Sequence, residues 1–191
     1  MTRDLMYRRE IQEMVRDVYE RVEEPMVSPA ACLYDDHQLA RIPDVARRWA
    51  LGVGNPVRHA DLTQGEEVVD LGCGAGVDTL LAASCVAPGG SVTGVDFLAS
   101  MIQRGRRNAE ASGSDNVSFV QAEIDRLPLD DASVDVVISN GTINLAARKS
   151  RVFAEAKRVL RPGGRLSVSD LTIKEEELPS EVLVHPSVWA G

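Results

Sequence analysis

The sequence is poor in cysteine: Cys32, Cys73 and Cys85 are an odd set with no C-x-x-C spacing. That excludes a disulfide framework, and reduced thiols in a cytoplasmic protein are the expectation. A basic stripe is missing too. The net charge is -8, and the one arginine cluster, Arg104, Arg106 and Arg107, falls on what reads as the solvent face of a single helix. Neither nucleic acid nor an anionic membrane is a suitable partner for such a chain. No apolar run opens it: Met1 to Glu20 is charge-rich, which argues against a secretory signal or a membrane anchor. Internal repeats, low-complexity tracts and acids at metal-ligand spacing are also lacking. What is there is 191 residues, 44% hydrophobic and 26% charged, enough for one globular domain with a substantial core.

Ile11, Met14, Val15, Val18, Tyr19 and Val22 recur at helical spacing, which predicts an amphipathic helix over Arg9 to Glu24, closed by Pro25. Pro25 to Arg41 reads as irregular, and Pro43 to Ala50 as a second helical patch. From Glu66 the pattern alternates. Strands are predicted at Glu67–Leu71, Ser91–Val95, Val117–Gln121, Val134–Ser139 and Arg165–Leu171. Helices are predicted at Val77–Val86, Leu98–Ala111 and Ser150–Leu160, with Pro88-Gly89-Gly90 and Pro162-Gly163-Gly164 as breaks. Strands separated by helices imply crossover connections and a parallel sheet. The right-handed crossover rule, with a switch point beside the first strand, gives an α/β, Rossmann-like, doubly wound sheet of order 3-2-1-4-5. Residues 1–60 then form a helical cap or lid, 61–172 the core, and 173–191 a C-terminal tail.

The most informative segment is Val68-Val69-Asp70-Leu71-Gly72-Cys73-Gly74-Ala75-Gly76. A β-branched run ends in an acid, breaks into alternating glycines, and gives way to a helix. This is how such a sheet grips an adenosine cofactor. A dinucleotide fingerprint would place its third glycine at Val77, whereas G-x-G-x-G with an acid two residues upstream suits S-adenosylmethionine. Gly72, Cys73, Gly74 and Gly76 would let the backbone approach its methionine part, helix-start N–H groups would favour its carboxylate, and Asp70 its positive end. Asp96 ends the second strand twenty positions after Gly76, where an acid can accept both ribose hydroxyls, although it also reads as a cap for the next helix. Phe97, Glu123 and Ile124 fall beside the adenine, and Asn140, ending the fourth strand, lies nearest the sulfonium methyl. No metal is implied.

Val68 to Asp78, Val95-Asp96, Ile138-Ser139-Asn140 and Arg158-Val159-Leu160-Arg161-Pro162-Gly163-Gly164-Arg165 resemble class I S-adenosylmethionine-dependent methyltransferases. Gly54-Asn55-Pro56-Val57, Ile143-Asn144-Leu145, Ser167-Val168-Ser169-Asp170 and Trp189-Ala190-Gly191 resemble the arsenite methyltransferases more narrowly. That resemblance implies methyl transfer to a small molecule, and arsenic held by several thiolates. The thiols are mostly missing. Val53 and Gly141 stand where family cysteines would, a third would follow Gly191, and only Cys32 resembles a family cysteine position. The class also adds two strands after the fifth, the last antiparallel, and about twenty residues follow Leu171 here. The fifth strand should therefore be an exposed edge, covered by the tail, by a second copy in a homo-oligomer, or by another chain in a heteromer.

Should the acceptor need a base, Asp35, Asp36 and His37 are the nearest candidates, although a hydrophilic turn explains them better; His59 and His185 have less to recommend them. Tyr34, Tyr7 and Tyr19 are candidates to line the acceptor pocket. The reading is an S-adenosylmethionine-dependent methyltransferase of a small molecule. The alternative is a non-catalytic or half-complete methyltransferase-like subunit that needs a partner chain.

Overall fold

Strands buried on both faces favour unbroken β-branched runs, and the central strand of the sheet and one of its neighbours carry Val68-Val69 and Val136-Val137-Ile138, all buried. The computed structural model describes residues 3–21 and 32–172. Its helices are α1 (Arg3–Arg21), α2 (Asp36–Leu39), α3 (Asp44–Arg47), α4 (Val77–Val86), α5 (Ala99–Ser112) and α6 (Lys149–Val159). Its strands are β1 (Glu67–Leu71), β2 (Ser91–Asp96), β3 (Val117–Gln121), β4 (Val134–Asn140) and β5 (Leu160–Ser169). They form one five-stranded sheet ordered β3-β2-β1-β4-β5, every pair parallel, as the crossover argument requires. No helix among the described residues is long and apolar enough to cross a membrane.

Alternation along the strands divides the core. Val68, Val92, Val136 and Ile138 face α4, whose Leu80, Leu81 and Ala83 pack on them. Val69, Leu71, Val95 and Val137 face α6 through Val152, Ala156 and Val159. The segment preceding the sheet belongs to the first of these layers: Tyr34, Ile42, Ala46, Ala50, Val57 and Ala60 share its cluster. The cap expected for residues 1–60 is thus packed, over its described 32–60 portion, into the same core as the sheet.

Three predicted elements differ in extent. α1 begins at Arg3, ahead of the Arg9 start taken from the apolar periodicity, through a first turn, Arg3-Asp4-Leu5-Met6, whose two apolar residues precede the regular spacing. The patch over Pro43 to Ala50 is helical only from Asp44 to Arg47. There the chain tightens into i→i+3 turns, Trp49 N–H to Ala46 C=O and Ala50 N–H to Arg47 C=O, which turn Trp49 inward against Ala75, Leu98 and Met101. β5 begins before the proline-glycine break: Leu160 pairs with Val134 and Arg165 with Val136, leaving residues 161–164 as a bulge. Among the described residues β5 pairs with β4 alone, which makes it the edge, and its Leu166 and Val168 are 36% and 39% accessible. The tail over 173–191, with Trp189 and His185, lies outside the described residues.

Arg158 staples the β3–β4 loop. It pairs with Glu155 (2.8 Å) and Asp131 (2.7 Å) and donates to the carbonyls of Leu129 and Leu127. A less obvious lock is the ring of Phe119 on β3. A Cβ built on Gly76 would lie 2.7 Å from that ring, on Gly94 3.0 Å, and on Gly105 2.5 Å. One aromatic side chain therefore fills the space that three glycines leave at the start of α4, on β2 and within α5.

Helix propensity alone predicts that Gly105→Ala stabilises α5 by about 1 kcal/mol. The contact with Phe119 predicts the opposite, a net loss of roughly 1–3 kcal/mol from overpacking. Urea unfolding of the variant distinguishes the two: a midpoint at or above the wild-type value rules out the Phe119 lock.

Candidate active site

The glycine segment turns the chain back over the carboxyl ends of the strands. Gly72, Gly74 and Gly76 have φ of 72°, 51° and 86°, a region that L side chains rarely adopt. The N–H groups of Gly72 and Cys73 both donate to the Val95 carbonyl, and Gly74 N–H donates to Asp96 Oδ2 (3.0 Å). Buried Asn108 on α5 holds the turn from behind, its amide donating to the Ala75 carbonyl (2.8 Å). α4 then starts at Val77, its N-cap Gly76 offering no side chain; the Thr79 N–H serves Asp70, and the N–H groups of the first two residues remain open to an anion.

Around this turn three carboxylates are buried. Asp70, at the carboxyl-terminal half of β1, accepts from Thr79 Oγ1 (2.7 Å). Asp78, in the first turn of α4, accepts from the Tyr34 hydroxyl (3.0 Å) and from Asn140 Nδ2 (2.9 Å). Asp96 accepts Gly74 N–H on one oxygen and Leu98 N–H (2.9 Å) on the other. All these donors are neutral. Burial therefore raises the pKa of each acid: for Asp70 the charge of Asp78 adds to it and Thr79 opposes it, for Asp78 Asn140 and Tyr34 oppose it, and for Asp96 the backbone amides oppose it. Burial likewise raises the Cys73 thiol, with Asp96 and Asp70 adding to the effect, so it remains an unionised packing group.

Asn140 joins the core to the segment before it. Its Oδ1 accepts from Val53 N–H (2.9 Å) and Gly54 N–H (3.1 Å), and its Nδ2 donates to Gly54 C=O (2.8 Å) as well as to Asp78. With two amide protons so engaged, its 3.3 Å approach to the Tyr34 oxygen is secondary. A Cβ on Gly52 would fall 2.2 Å from Nδ2, so the loop closes on this amide only because it carries glycine there. Asn55 makes a second tie, to the Leu33 carbonyl and Gln38 Oε1, and accepts Arg58 N–H. The Gly-Asn-Pro segment is thus a clamp. The Ile143-Asn144-Leu145 segment is structural as well: Asn144 donates through its backbone and its amide to Asp170, beyond the end of β5.

The resulting cleft is lined by Asp70, Gly72, Cys73, Gly74, Asp96, Phe97, Glu123, Ile124 and Asn140, all anticipated from the sequence. Gly76 is not part of the lining. Its left-handed conformation and its contact with Phe119 account for the glycine without a ligand. Asp35, Asp36 and His37 are exposed and absent from the lining: Asp35 caps α2 and His37 Nε2 lies 3.2 Å from Arg41. His59 is exposed, His185 lies outside the described residues, and so does the side chain of Tyr7. Tyr19 and Tyr34 do line the cleft. Sequence reasoning missed Asp78, Trp49 and Thr142. An acid in the first turn after the glycines was the available signal for Asp78; nothing local marked the others. No cluster of three or more potential metal ligands exists among the described residues.

A cleft across the carboxyl ends of a doubly wound sheet, floored by a glycine turn and bordered by strand-end acids, defines a nucleotide-cofactor-binding α/β protein. Residues 62–189 match the model of the methyltransferase domain family, and the chain belongs to that family. It is 45% identical over 158 residues to an arsenite methyltransferase of Halobacterium salinarum, covering 83% of this chain and 40% of that protein. With a ubiquinone/menaquinone biosynthesis C-methyltransferase of Hahella chejuensis it shares 38% over 109 residues, 56% of this chain and 44% of the other. The solved structure of an arsenic (III) S-adenosylmethionine methyltransferase from Chlamydomonas reinhardtii superposes with a TM-score of 0.70 at 38% identity, covering 84% of this chain and 55% of that one. The chain thus spans under half the length of these two curated relatives.

The buried acids make the ligand-free protein sensitive to pH in an unusual direction. Asp70 and Asp78 hold protons more tightly folded than unfolded, so the native state binds more protons at pH values above the ordinary carboxylate range near ~4. Their contribution is fully present below the unfolded pKa and is lost as pH rises through the native ones. The denaturation midpoint should fall between about pH 5.5 and about pH 8, and Asp70→Asn should flatten that slope. A wild-type midpoint that rises across this window contradicts the assignment.

Proposed function

We propose that this protein is an S-adenosylmethionine-dependent methyltransferase acting on a small molecule. The observation that carries the reading is the convergence, in one cleft, of the glycine turn with Asp70 and Asp96, the acids of two adjacent strands. When bound, S-adenosylmethionine supplies a methyl group activated by its sulfonium. Gly72 to Gly74 and the uncapped start of α4 would receive its amino-acid end, with Asp70 offering negative charge to its cationic groups. Asp96 retains acceptor capacity beyond its two amide bonds and would take the ribose hydroxyls. Phe97 and Ile124 would enclose the adenine, with Glu123 at its amino edge.

The chain's own contribution to the chemistry is alignment and exclusion of water, and orientation of this kind supplies roughly 7–11 kcal/mol in favourable cases. The clamp formed by Asn140 on residues 52–54 would place Trp49, Leu51 and Tyr34 over the transfer point. The named methyltransferases among the relatives support the catalytic reading over a non-catalytic subunit. Trivalent arsenic is a less secure acceptor, because Cys73 is the cleft's thiol among the described residues and burial keeps it protonated. A Cβ at Gly141 would sit 3.6 Å from both methyls of Val53, so the two positions at which the resemblance places cysteines are neighbours here without thiols.

Calorimetric titration with S-adenosylmethionine and S-adenosylhomocysteine tests the reading, and absence of binding to both removes it. Asp96→Ala should weaken the cofactor by roughly 1.5–3 kcal/mol, the value of a hydrogen bond to a charged group. Unchanged affinity would move the ribose elsewhere. The exposed edge of β5 supports the accompanying expectation of an oligomer. A folded, stable monomer in sedimentation equilibrium at micromolar concentration would overturn it.

A further inference from the structure

If the cleft transfers methyl groups, the character of the acceptor can be read from the walls that face it. We propose that the acceptor is an uncharged molecule with an apolar body, attacking through a lone pair already free at neutral pH, of the thioether class, so that the methylated product is a cation. The proposal rests on the methyltransferase reading and specifies its substrate class.

The lining is of two main kinds, with Gln12 and Thr142 between them in character. One is hydrocarbon: Ile11 and Val15 of α1, with Trp49, Leu51, Leu145 and Ala147. A strongly hydrated group entering there would lose water without gaining a partner. The other carries Asp70, Asp78 and Asp96, whose hydrogen-bond donors, Thr79, Tyr34, Asn140 and two backbone amides, are all neutral. The described residues that line the cleft include no lysine, arginine or histidine. Arg104 lies instead with its guanidinium carbon 3.7 Å from the centroid of the Trp49 ring. The acids are felt across the space: burial raises the pKa of the Tyr19 phenol on α1, and Asp96 and Asp170 add to the effect, so that Tyr19 keeps its proton. Tyr34 likewise keeps its proton, through burial and through Asp78. An anionic acceptor would find no cationic partner among these residues, beside acids that burial already inclines to keep their protons, and each phenol holds its own proton too firmly to take one from a neutral acceptor.

A neutral lone pair suits both kinds of lining. It forms the new bond to carbon as the carbon–sulfur bond breaks, and that bond's electron pair returns to the cofactor sulfur. No proton moves. One positive charge passes from sulfur to the acceptor atom and remains within a cleft bordered by carboxylates, so the step neither creates nor destroys charge in a dry site. An anionic nucleophile would instead cancel the charge that the carboxylates favour.

The test uses the Trp189→Phe variant, which leaves Trp49 as the one tryptophan, saturated with S-adenosylhomocysteine, with quenching of its fluorescence as the readout. Three probes of like shape differ in charge: the phenyldimethylsulfonium cation, isopropylbenzene and 4-isopropylbenzoate. The cation and the neutral compound should both quench, and the benzoate should bind weaker than isopropylbenzene by about tenfold or more. Equal or tighter binding of the benzoate overturns the proposal, and so does an absence of quenching by all three probes. Failure of S-adenosylhomocysteine itself to bind, seen by calorimetry, would instead remove the methyltransferase reading on which the proposal rests.

Discussion

Three carboxylates are buried at the carboxyl ends of β1 and β2 with only neutral donors around them, and much of the architecture of the site follows from that constraint. A buried acid must either keep its proton or find compensation. Thr79, Tyr34, Asn140 and the turned-back amides of Gly74 and Leu98 supply partial compensation, and to do so they draw α4, α5 and the segment before the sheet onto one point. A cationic ligand completes what these donors leave unfinished. The glycine turn and the hydrogen-bonded clamp over residues 52–54 bring the donors there.

The same geometry explains why the glycines are not equivalent. A side chain on Gly72 would meet Thr142, and one on Gly76 would meet Phe119, whereas Gly74 faces open space. Of the three, Gly74 is the position whose bareness neither internal contact requires. An alternating-glycine motif is therefore a composite: part of it answers to the fold and part to the ligand, and a one-dimensional pattern does not separate them.

The strand order and nearly every strand boundary were legible because β-branched runs, proline-glycine breaks and crossover handedness all act locally or obey general rules. The acid-ended strands were legible for the same reason. What could not be read depends on contacts between distant positions. Asp78 matters because Tyr34 and Asn140 reach it from 44 and 62 residues away. Trp49 turns inward because its helix tightens against residues of α5 and the glycine turn. Asn55 and Asn144, parts of segments that resemble the arsenite methyltransferases, hold the chain to itself through partners distant in sequence. The β5 bulge was hidden because a proline-glycine pair reads as an end of pairing, whereas the ladder resumes beyond it.

Phe119 and the three glycines around it also constrain how this protein can change over evolutionary time. A larger residue at position 76, 94 or 105 is tolerated only if the ring shrinks, and a smaller residue at 119 leaves a void that the bare positions cannot fill. These four sites, drawn from four different secondary elements, should drift as a set. The third glycine of the cofactor turn would then be inherited with a core aromatic rather than with the ligand, and could persist in descendants that bind no nucleotide at all.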